Sequence, residues 1–280
     1  MQLGMRNETA IILASFGSAD DSIREKTSDK LAEELGKFFT DFAISQAFTS
    51  NFLIKKLSRR GIFFATPAEK ISQLRAEGFK KIFLLPTHLT PGEEFDNKIK
   101  ICEAPDVKII PPLMSEPLDK KIFVTILDCF KKNDDEDLIL IGHGSPHRHN
   151  PVYENLQSLA DEVLTIGNGK WGMGNENDAK IIPNSQFPIP HCLHISVIEE
   201  NDTPNFSDVV KRLKISRAKK ILLAPLLFSG GVHVAEDIAG EKNSWLTKLS
   251  ALGYQVRVIR DGLGTFKNFR ELYIKKLEAI

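Results

Sequence analysis

The chain has 280 residues, which suits two domains or one large domain and is long enough to bury a core without disulfide or metal staples. Hydrophobic residues make up 42% of it and charged residues 26%, so an intrinsically disordered chain is disfavoured. Lysine plus arginine equals aspartate plus glutamate at 37 each, and a net charge of zero argues against a protein built mainly to bind nucleic acid.

Short β-rich runs alternate with amphipathic helical runs along the first half of the chain. Thr9–Ser15 is apolar almost throughout and predicts a buried strand, whereas the apolar spacing of Ser22–Phe39 predicts a helix. Thr66 predicts the N-cap of a further helix, with Pro67 in its first turn and Gly78 at its end. The other predicted elements of this half are strands at 42–48, 80–86 and 107–111 and a helix around 50–60.

The same order of elements returns in the second half. Predicted strands lie at 137–141, 192–198, 219–225 and 256–259, and predicted helices at 153–163, 207–213 and 266–277. The repeat can be aligned, because I-I-L-A-S-F-G-S at 11–18 matches L-I-L-I-G-H-G-S at 138–145, and K-K-I-F-L-L-P at 80–86 matches K-K-I-L-L-A-P at 219–225. Extra residues in the second half fall in the Gly/Asn-rich segment 167–190, which we expect to be a loop or disordered insertion.

Alternation of strands and helices predicts an α/β fold of two similar lobes, each a parallel sheet flanked by helices, with an active-site cleft between them. We place the N-terminal lobe at 1–117, joined by a C-terminal helix at 264–280, and the C-terminal lobe at 118–263, with 111–117 as the linker. Ligands of open parallel sheets bind at the carboxyl ends of the strands. Functional residues are therefore expected just after strands.

Side chains that can bind a metal follow three strands of the second half. His143 lies between two glycines, His233 follows Gly230 and Gly231, and Glu199 opens an acidic turn. Either histidine alone also fits a polar loop or a hydrogen-bonded core position, and the acidic turn alone fits a solvated loop. Together, two imidazoles and a carboxylate suit Fe, Co, Ni or Zn, and a neutral imidazole accepts protons near pH 7.

Two loops of the first half also follow strands. His88 and Glu93 lie in P-T-H-L-T-P-G-E-E-F, where Glu93 fits the start of a helix as well as it fits a catalytic role. In the turn Ser15–Ser18, Phe16 fits either the core or a surface that packs on a flat ligand. Loop amides of this turn are candidates for binding anions.

Cysteine usage and hydropathy bear on the compartment. Three cysteines, Cys102, Cys129 and Cys192, lack C-x-x-C spacing, so we expect reduced and mostly buried thiols. No apolar run reaches the length of a membrane helix, and the N-terminus does not look like a signal peptide. We expect a cytoplasmic protein without a membrane partner, and the sequence leaves a homo-oligomer open.

Six stretches carry a family resemblance, namely A-S-F-G-S (14–18), Q-A-F-T-S-N-F-L-I-K-K-L (46–57), T-P-A-E-K (66–70), H-L-T-P-G-E-E-F (88–95), G-H-G-S-P-H-R-H-N-P-V-Y (142–153) and G-G-V-H-V-A-E-D-I-A-G-E-K-N-S-W (230–245). With these the chain resembles the class II tetrapyrrole chelatases, and among them the anaerobic-type sirohydrochlorin cobaltochelatases of cobalamin biosynthesis. The stretches span nearly the whole chain in the family's order.

The resemblance implies ATP-independent insertion of a divalent metal, Co²⁺ or Fe²⁺, into a sirohydrochlorin-type tetrapyrrole, in cobalamin or siroheme biosynthesis. The metal is a substrate, and no organic cofactor is implied. The metal-facing and catalytic positions are His143, Glu199 and His233. The predicted substrate-binding positions are Ser15, Phe16, Gly17, Ser18, His88, Glu93, Gly144, Ser145, Gly230 and Gly231.

The chain departs from the family pattern at several positions. Val232 replaces an aspartate before the second histidine, Gln46 replaces a common arginine, and the turn after Glu199 is longer, which makes Glu200 an alternative ligand. Two other functions stay open, a non-catalytic metal- or tetrapyrrole-binding protein and a ferrochelatase acting on a porphyrin. A hydrolase is disfavoured because G-x-S-x-G and P-loop motifs are absent from the sequence.

Overall fold

The computed structural model describes residues 8–130, 133, 135–167 and 193–280. It divides into two compact units, one of Met1–Ser115 with Arg270–Ile280 and the other of Glu116–Phe269. Each unit contains a four-stranded parallel sheet with helices packed on it, as the alternation of strands and helices predicts. Within the part of the chain described, no helix has the length and hydropathy needed to span a bilayer.

The described elements follow in chain order. The strands are β1 (Thr9–Ser15), β2 (Ala43–Phe48), β3 (Lys81–Pro86), β4 (Val107–Ile109), β5 (Glu136–Gly142), β6 (Leu193–Val197), β7 (Lys220–Pro225) and β8 (Gln255–Val258). The helices are α1 (Asp21–Lys26), α2 (Ser28–Phe38), α3 (Asn51–Ser58), α4 (Pro67–Ala76), α5 (Glu93–Lys98), α6 (Lys120–Asp128), α7 (Val152–Gly167), α8 (Phe206–Ser216), α9 (Trp245–Ala251) and α10 (Lys267–Glu278). A single π-helical turn covers Val234–Ile238.

The two sheets repeat one topology. Their strand orders are β2-β1-β3-β4 and β6-β5-β7-β8, with every neighbouring pair parallel. The register repeats as well, because Ala14 of β1 lies opposite Pro86 of β3, and Ile141 of β5 lies opposite Pro225 of β7. These are the same positions of the two aligned sequence stretches. The internal repeat seen in the sequence is therefore a repeat of the sheet.

Buried strands explain the continuous apolar runs. Residues 10–14 of β1 are fully buried, and alternate side chains of that strand pack on Ile71 and Leu74 of α4. In the second sheet, Ile139 and Ile141 of β5 belong to a cluster with α8, the π-helical turn and α9. A central parallel strand is covered on both faces, so it shows no polar alternation.

Most local predictions agree with the structure. The single helix predicted at Ser22–Phe39 is an exception. It is interrupted at Thr27, which separates α1 from α2 with φ −120° and ψ −92°. The Thr27 hydroxyl donates to the carbonyl oxygen of Ile23 at 2.6 Å, an alternative bonding pattern that threonine offers the backbone. The helices α6 and α9 were not anticipated from the sequence. Segment 168–190, within the expected insertion, lies outside the described residues.

The start of α4 follows its sequence signature. The Thr66 Oγ1 accepts a hydrogen bond from the Glu69 amide at 3.3 Å, and the Glu69 carboxylate accepts one from the Thr66 amide at 2.8 Å. This reciprocal capping box satisfies two of the amides that a helix start leaves unpaired. The N-cap predicted at Thr66 is confirmed.

The cysteines of the described residues are free thiols. Cys129 is buried, and burial raises the pKa of its thiol to about 12. Cys102 is partly buried, which raises the pKa of that thiol as well. Cys192 lies outside the described residues. Thiols held in this protonated form are poor nucleophiles and poor metal ligands.

A carboxylate–guanidinium pair crosses the second sheet. Arg257 of β8 donates to both carboxylate oxygens of Glu136 in β5, through Nε at 3.1 Å and a terminal nitrogen at 2.7 Å. Burial raises the pKa of the Glu136 carboxyl. The hydrogen bonds from Arg257 and from the Asn133 amide more than offset burial, and they hold that pKa below its ordinary value of 4.5.

We expect this pair to make stability depend on pH. Because the folded-state pKa of Glu136 is depressed, its contribution is present above pH 4.5 and is lost as the pH falls through the lower folded value. Urea unfolding measured from about pH 7 to about pH 3 should therefore show a steeper acid loss in the wild type than in Glu136→Gln. Identical pH slopes for the two proteins would contradict the assignment.

A second pair fixes α10 in the first unit. Arg270 is buried and donates to both carboxylate oxygens of Glu34 in α2, at 2.8 and 2.7 Å. The two residues are 236 positions apart along the chain. A bidentate pair removed from water is costly to break, because the remaining charge stays buried.

Glu34→Ala should lower the free energy of unfolding by about 3 kcal/mol, the cost of leaving the Arg270 guanidinium buried without its carboxylate. Chemical denaturation followed by circular dichroism measures this. The control is Glu33→Ala, the preceding residue of α2, whose exposed carboxylate pairs with Lys30 and Lys37. That substitution should leave stability unchanged within error, and equal losses from the two variants would refute a special role for Arg270.

Candidate metal centre

The carboxyl edge of the second sheet brings together residues from three loops. His143 follows β5 directly, Glu199 comes two residues after β6, and His233 lies beyond β7. Because β6, β5 and β7 are adjacent parallel strands, their carboxyl ends share one edge. The fold therefore places three side chains close together that lie up to 90 positions apart along the chain.

The two histidines face each other through their Nε2 atoms, which are 3.2 Å apart. Their rings are nearly perpendicular, at 87°, with centroids separated by 4.5 Å. Both side chains are 42% exposed, so a ligand can reach them from solvent. The pair is an open site with two nitrogen donors.

The other ring nitrogens have acceptors of their own. Nδ1 of His143 lies 3.2 Å from the Gly144 carbonyl oxygen, and Nδ1 of His233 lies 2.8 Å from the Asp237 carboxylate. We assign a proton to each Nδ1 on the basis of these acceptors. Each Nε2 then carries a lone pair. A contact between two lone pairs is favourable only with a proton or a metal ion between them.

The distance between the two Nε2 atoms fits a bound metal ion. At the 2.0–2.1 Å typical of imidazole–zinc bonds, two nitrogens 3.2 Å apart subtend about 100° at the ion. That angle lies between the values for octahedral and tetrahedral ligands. Neutral imidazoles suit divalent Co, Ni, Fe and Zn.

Glu199 lies on the other side of His143. Its Oε1 is 4.0 Å from Nδ1 of His143, and its amide donates to the His143 carbonyl oxygen at 3.1 Å. Glu200 is 84% exposed and lies near Lys248, so Glu199 is the acid beside the histidine. In the described residues, no three His, Cys, Asp or Glu side chains are grouped closely enough to hold one ion. Glu199 as a third ligand stays a prediction.

Most of the chain matches a known protein family. The profile of the family described as cobalt chelatase (CbiK) matches residues 9–166 and 182–280. The chain belongs to the cobalt chelatase (CbiK) family. The resemblance to chelatases read from the six sequence stretches is thereby confirmed, and the protein is a metal chelatase. The family match omits part of the Gly/Asn-rich segment where we expect an insertion.

Relatives and solved structures agree with this assignment. Sirohydrochlorin cobaltochelatase of Salmonella typhimurium is 22% identical over 282 residues, covering 96% of this chain and 94% of that protein. Sirohydrochlorin cobaltochelatase CbiKC of Nitratidesulfovibrio vulgaris is also 22% identical, covering 96% and 89%. The structure of SirB from Bacillus subtilis with Fe³⁺ has a TM-score of 0.56 at 13% identity, over 96% and 94% of the two chains. The chelatase-like α/β fold is confirmed.

The glycines beside His143 are required by close packing. A Cβ on Gly142 would lie 2.3 Å from the Tyr153 ring, and one on Gly144 would lie 2.8 Å from Val197 and 3.2 Å from Glu199. Gly144 also has φ +80°, which other residues rarely adopt. Both glycines therefore make room for side chains of this chelatase, and substrate binding at Gly144 stays a prediction.

Gly230 and Gly231 differ from each other. A Cβ on Gly230 would meet the carbonyl oxygen of Arg260 at 2.1 Å, so this glycine is required where two loop backbones cross. Gly231 has nothing within 4 Å of its Cβ position and is open on that side. Of Gly230 and Gly231, Gly231 has room for a ligand.

Asp202 holds the loop that carries His143. It is fully buried and accepts hydrogen bonds from the amides of Ser145 at 2.9 Å and Asn150 at 3.1 Å, and from Nδ1 of His149 at 3.0 Å. The Ser145 amide therefore already has an acceptor within the protein, and substrate binding by Ser145 stays a prediction. Asp202 belongs to the acidic turn that Glu199 opens, and the sequence pattern did not reveal this contact.

The remaining predicted substrate-binding residues lie in the first unit, at the ends of β1 and β3. Ser15 is buried, Phe16 is 47% exposed, Gly17 has φ +104°, and Ser18 bonds with the Asp20 backbone. Exposure excludes the core role for Phe16. His88 follows β3, and Glu93 is the first residue of α5, where an acidic side chain favours a helix start.

Asp202→Ala should lower the free energy of unfolding by about 3 kcal/mol, because the Ser145 and Asn150 amides lose their buried acceptor. Urea denaturation measures the loss, and faster hydrogen exchange at those two amides locates it. Glu200→Ala, in the same turn and exposed, is the matched control and should match the wild type. Slow exchange retained in Asp202→Ala would contradict the anchoring role.

Proposed function

We propose that this chelatase inserts Co²⁺ into sirohydrochlorin without ATP, with Fe²⁺ as the alternative metal. The observation that carries the proposal is the pair of facing Nε2 atoms, 3.2 Å apart on an open edge of the sheet. Two relatives with 22% identity are named sirohydrochlorin cobaltochelatase, and this supports the choice of substrate and metal. No organic cofactor takes part.

The reaction exchanges two protons for one divalent ion. Two pyrrole N–H bonds break, four ring nitrogens bind the metal, and two protons leave to bases or to water. In our proposal His143 is the principal base and a metal ligand, and His233 is its partner. Glu199 completes the site after a side-chain rotation and takes protons from His143, which it already approaches to 4.0 Å.

A metal ion with few protein ligands is easily transferred to the tetrapyrrole. Two imidazoles leave several coordination positions empty, so ring nitrogens can replace protein ligands one at a time. A closed site of four ligands would retain its ion instead. Imidazole sites discriminate weakly among neighbouring divalent metals, so the supply of Co²⁺ or Fe²⁺ decides which one is inserted, and with it whether the product serves cobalamin or siroheme biosynthesis.

His143→Ala should lower the initial rate of Co²⁺ insertion about 100-fold or more, because both a base and a ligand are lost. The absorbance change of sirohydrochlorin on metallation measures the rate. His147→Ala is the control, since it removes an exposed histidine of the same loop and should leave the rate unchanged. Wild-type turnover in His143→Ala with an intact circular dichroism spectrum would overturn the assignment.

Turnover number separates the alternatives. A chelatase converts many equivalents of free sirohydrochlorin, whereas a binding protein converts no more than one equivalent per chain. Parallel rates with a porphyrin and Fe²⁺ test the ferrochelatase alternative. A higher rate with porphyrin than with sirohydrochlorin would replace the proposed substrate.

A further inference from the structure

The π-helical turn after His233 brings a second acid to the metal centre. Its backbone bond runs from the Ala239 amide to the Val234 carbonyl oxygen at 2.9 Å. Val234 and Ile238, four residues apart, are both buried in the core. The residues that precede them, His233 and Asp237, are also four apart and are side by side on the outer face of the turn. Such turns are frequent at functional sites.

Asp237 makes the shortest contact of the histidine pair. Its Oδ2 lies 2.8 Å from Nδ1 of His233, whereas the matching acceptor of His143 is a carbonyl oxygen at 3.2 Å. A carboxylate accepts hydrogen bonds and does not donate when ionised, so it selects the form of His233 with the proton on Nδ1. The lone pair then lies on Nε2, the atom that faces His143.

The contact also fixes the ring direction. His233 is 42% exposed, and a half-exposed imidazole without a partner rotates and exchanges its proton between the two nitrogens. With Nδ1 held by Asp237, Nε2 stays directed at the partner nitrogen. Carboxylates behind ligating histidines act in this way at many metal sites.

We propose that Asp237 is a positioning residue of the metal centre, which holds His233 as its Nδ1-protonated form with Nε2 toward His143. The effect of Asp237 on metal binding rests on the proposed function, whereas the assignment of the His233 proton to Nδ1 does not. Because Asp237 is itself 41% exposed, its hydrogen bond with His233 contributes little to the stability of the fold. The role is therefore separable from folding.

The test compares Asp237→Ala, Asp237→Asn and the control Glu236→Ala in the full-length protein. Long-range ¹H–¹⁵N NMR spectra of the imidazoles identify which nitrogen of His233 carries the proton. We expect Nδ1 protonation in the wild type and in Glu236→Ala. In Asp237→Ala the proton should shift to Nε2, and Asp237→Asn, whose amide oxygen still accepts, should retain Nδ1 protonation.

Titration with Co²⁺ alone gives the second measurement. Asp237→Ala should bind Co²⁺ about 10- to 100-fold more weakly than the wild type, Asp237→Asn should recover part of that loss, and thermal midpoints should coincide. Unchanged His233 protonation together with unchanged Co²⁺ affinity in Asp237→Ala would overturn the proposal. Failure of the wild type to bind Co²⁺ would refute the proposed function, and the NMR spectra would still decide the role of Asp237.

Discussion

Two nitrogen lone pairs held 3.2 Å apart are the constraint on which the second unit depends. Such a contact needs a proton or a metal ion between the two nitrogens, and other interactions fix the loops that carry His143 and His233. Asp202 fixes the first loop through buried backbone amides, and the buried Val234 and Ile238 fix the second. The free energy of folding thus keeps the two imidazoles together without a ligand, which is preorganisation of the candidate site.

The loops that follow the matching strands β1 and β5 are similar in backbone structure and differ in the side chains they present. Gly17 in the first unit has positive φ and packs on Phe48, and Gly144 in the second has positive φ and packs on Val197. The residue before each glycine is Phe16 in one unit and His143 in the other. A common scaffold therefore presents an exposed phenyl ring at one position and an imidazole at its counterpart, in keeping with function residing in local sites rather than in folds.

Features set by neighbouring residues were predictable from the sequence. β1 and the Thr66 cap depend on local pattern alone, whereas the break at Thr27 depends on one hydroxyl bond that periodicity does not reveal. The histidine pair was found because strand ends converge in parallel sheets. The reason for Gly142, and the roles of Asp202 and Asp237, depend on contacts with other elements or on a helical turn that the sequence did not specify.

The first unit is discontinuous, since its sheet precedes the second unit along the chain and α10 follows it. Synthesis proceeds from the N-terminus, and domains generally fold as they emerge. Residues Glu116–Phe269 are synthesised before Arg270. The pair between Glu34 and Arg270, 236 positions apart, therefore forms only after the second unit has been translated. The second unit is continuous along the chain, whereas the first unit is complete only once Arg270 has followed the second unit and paired with Glu34.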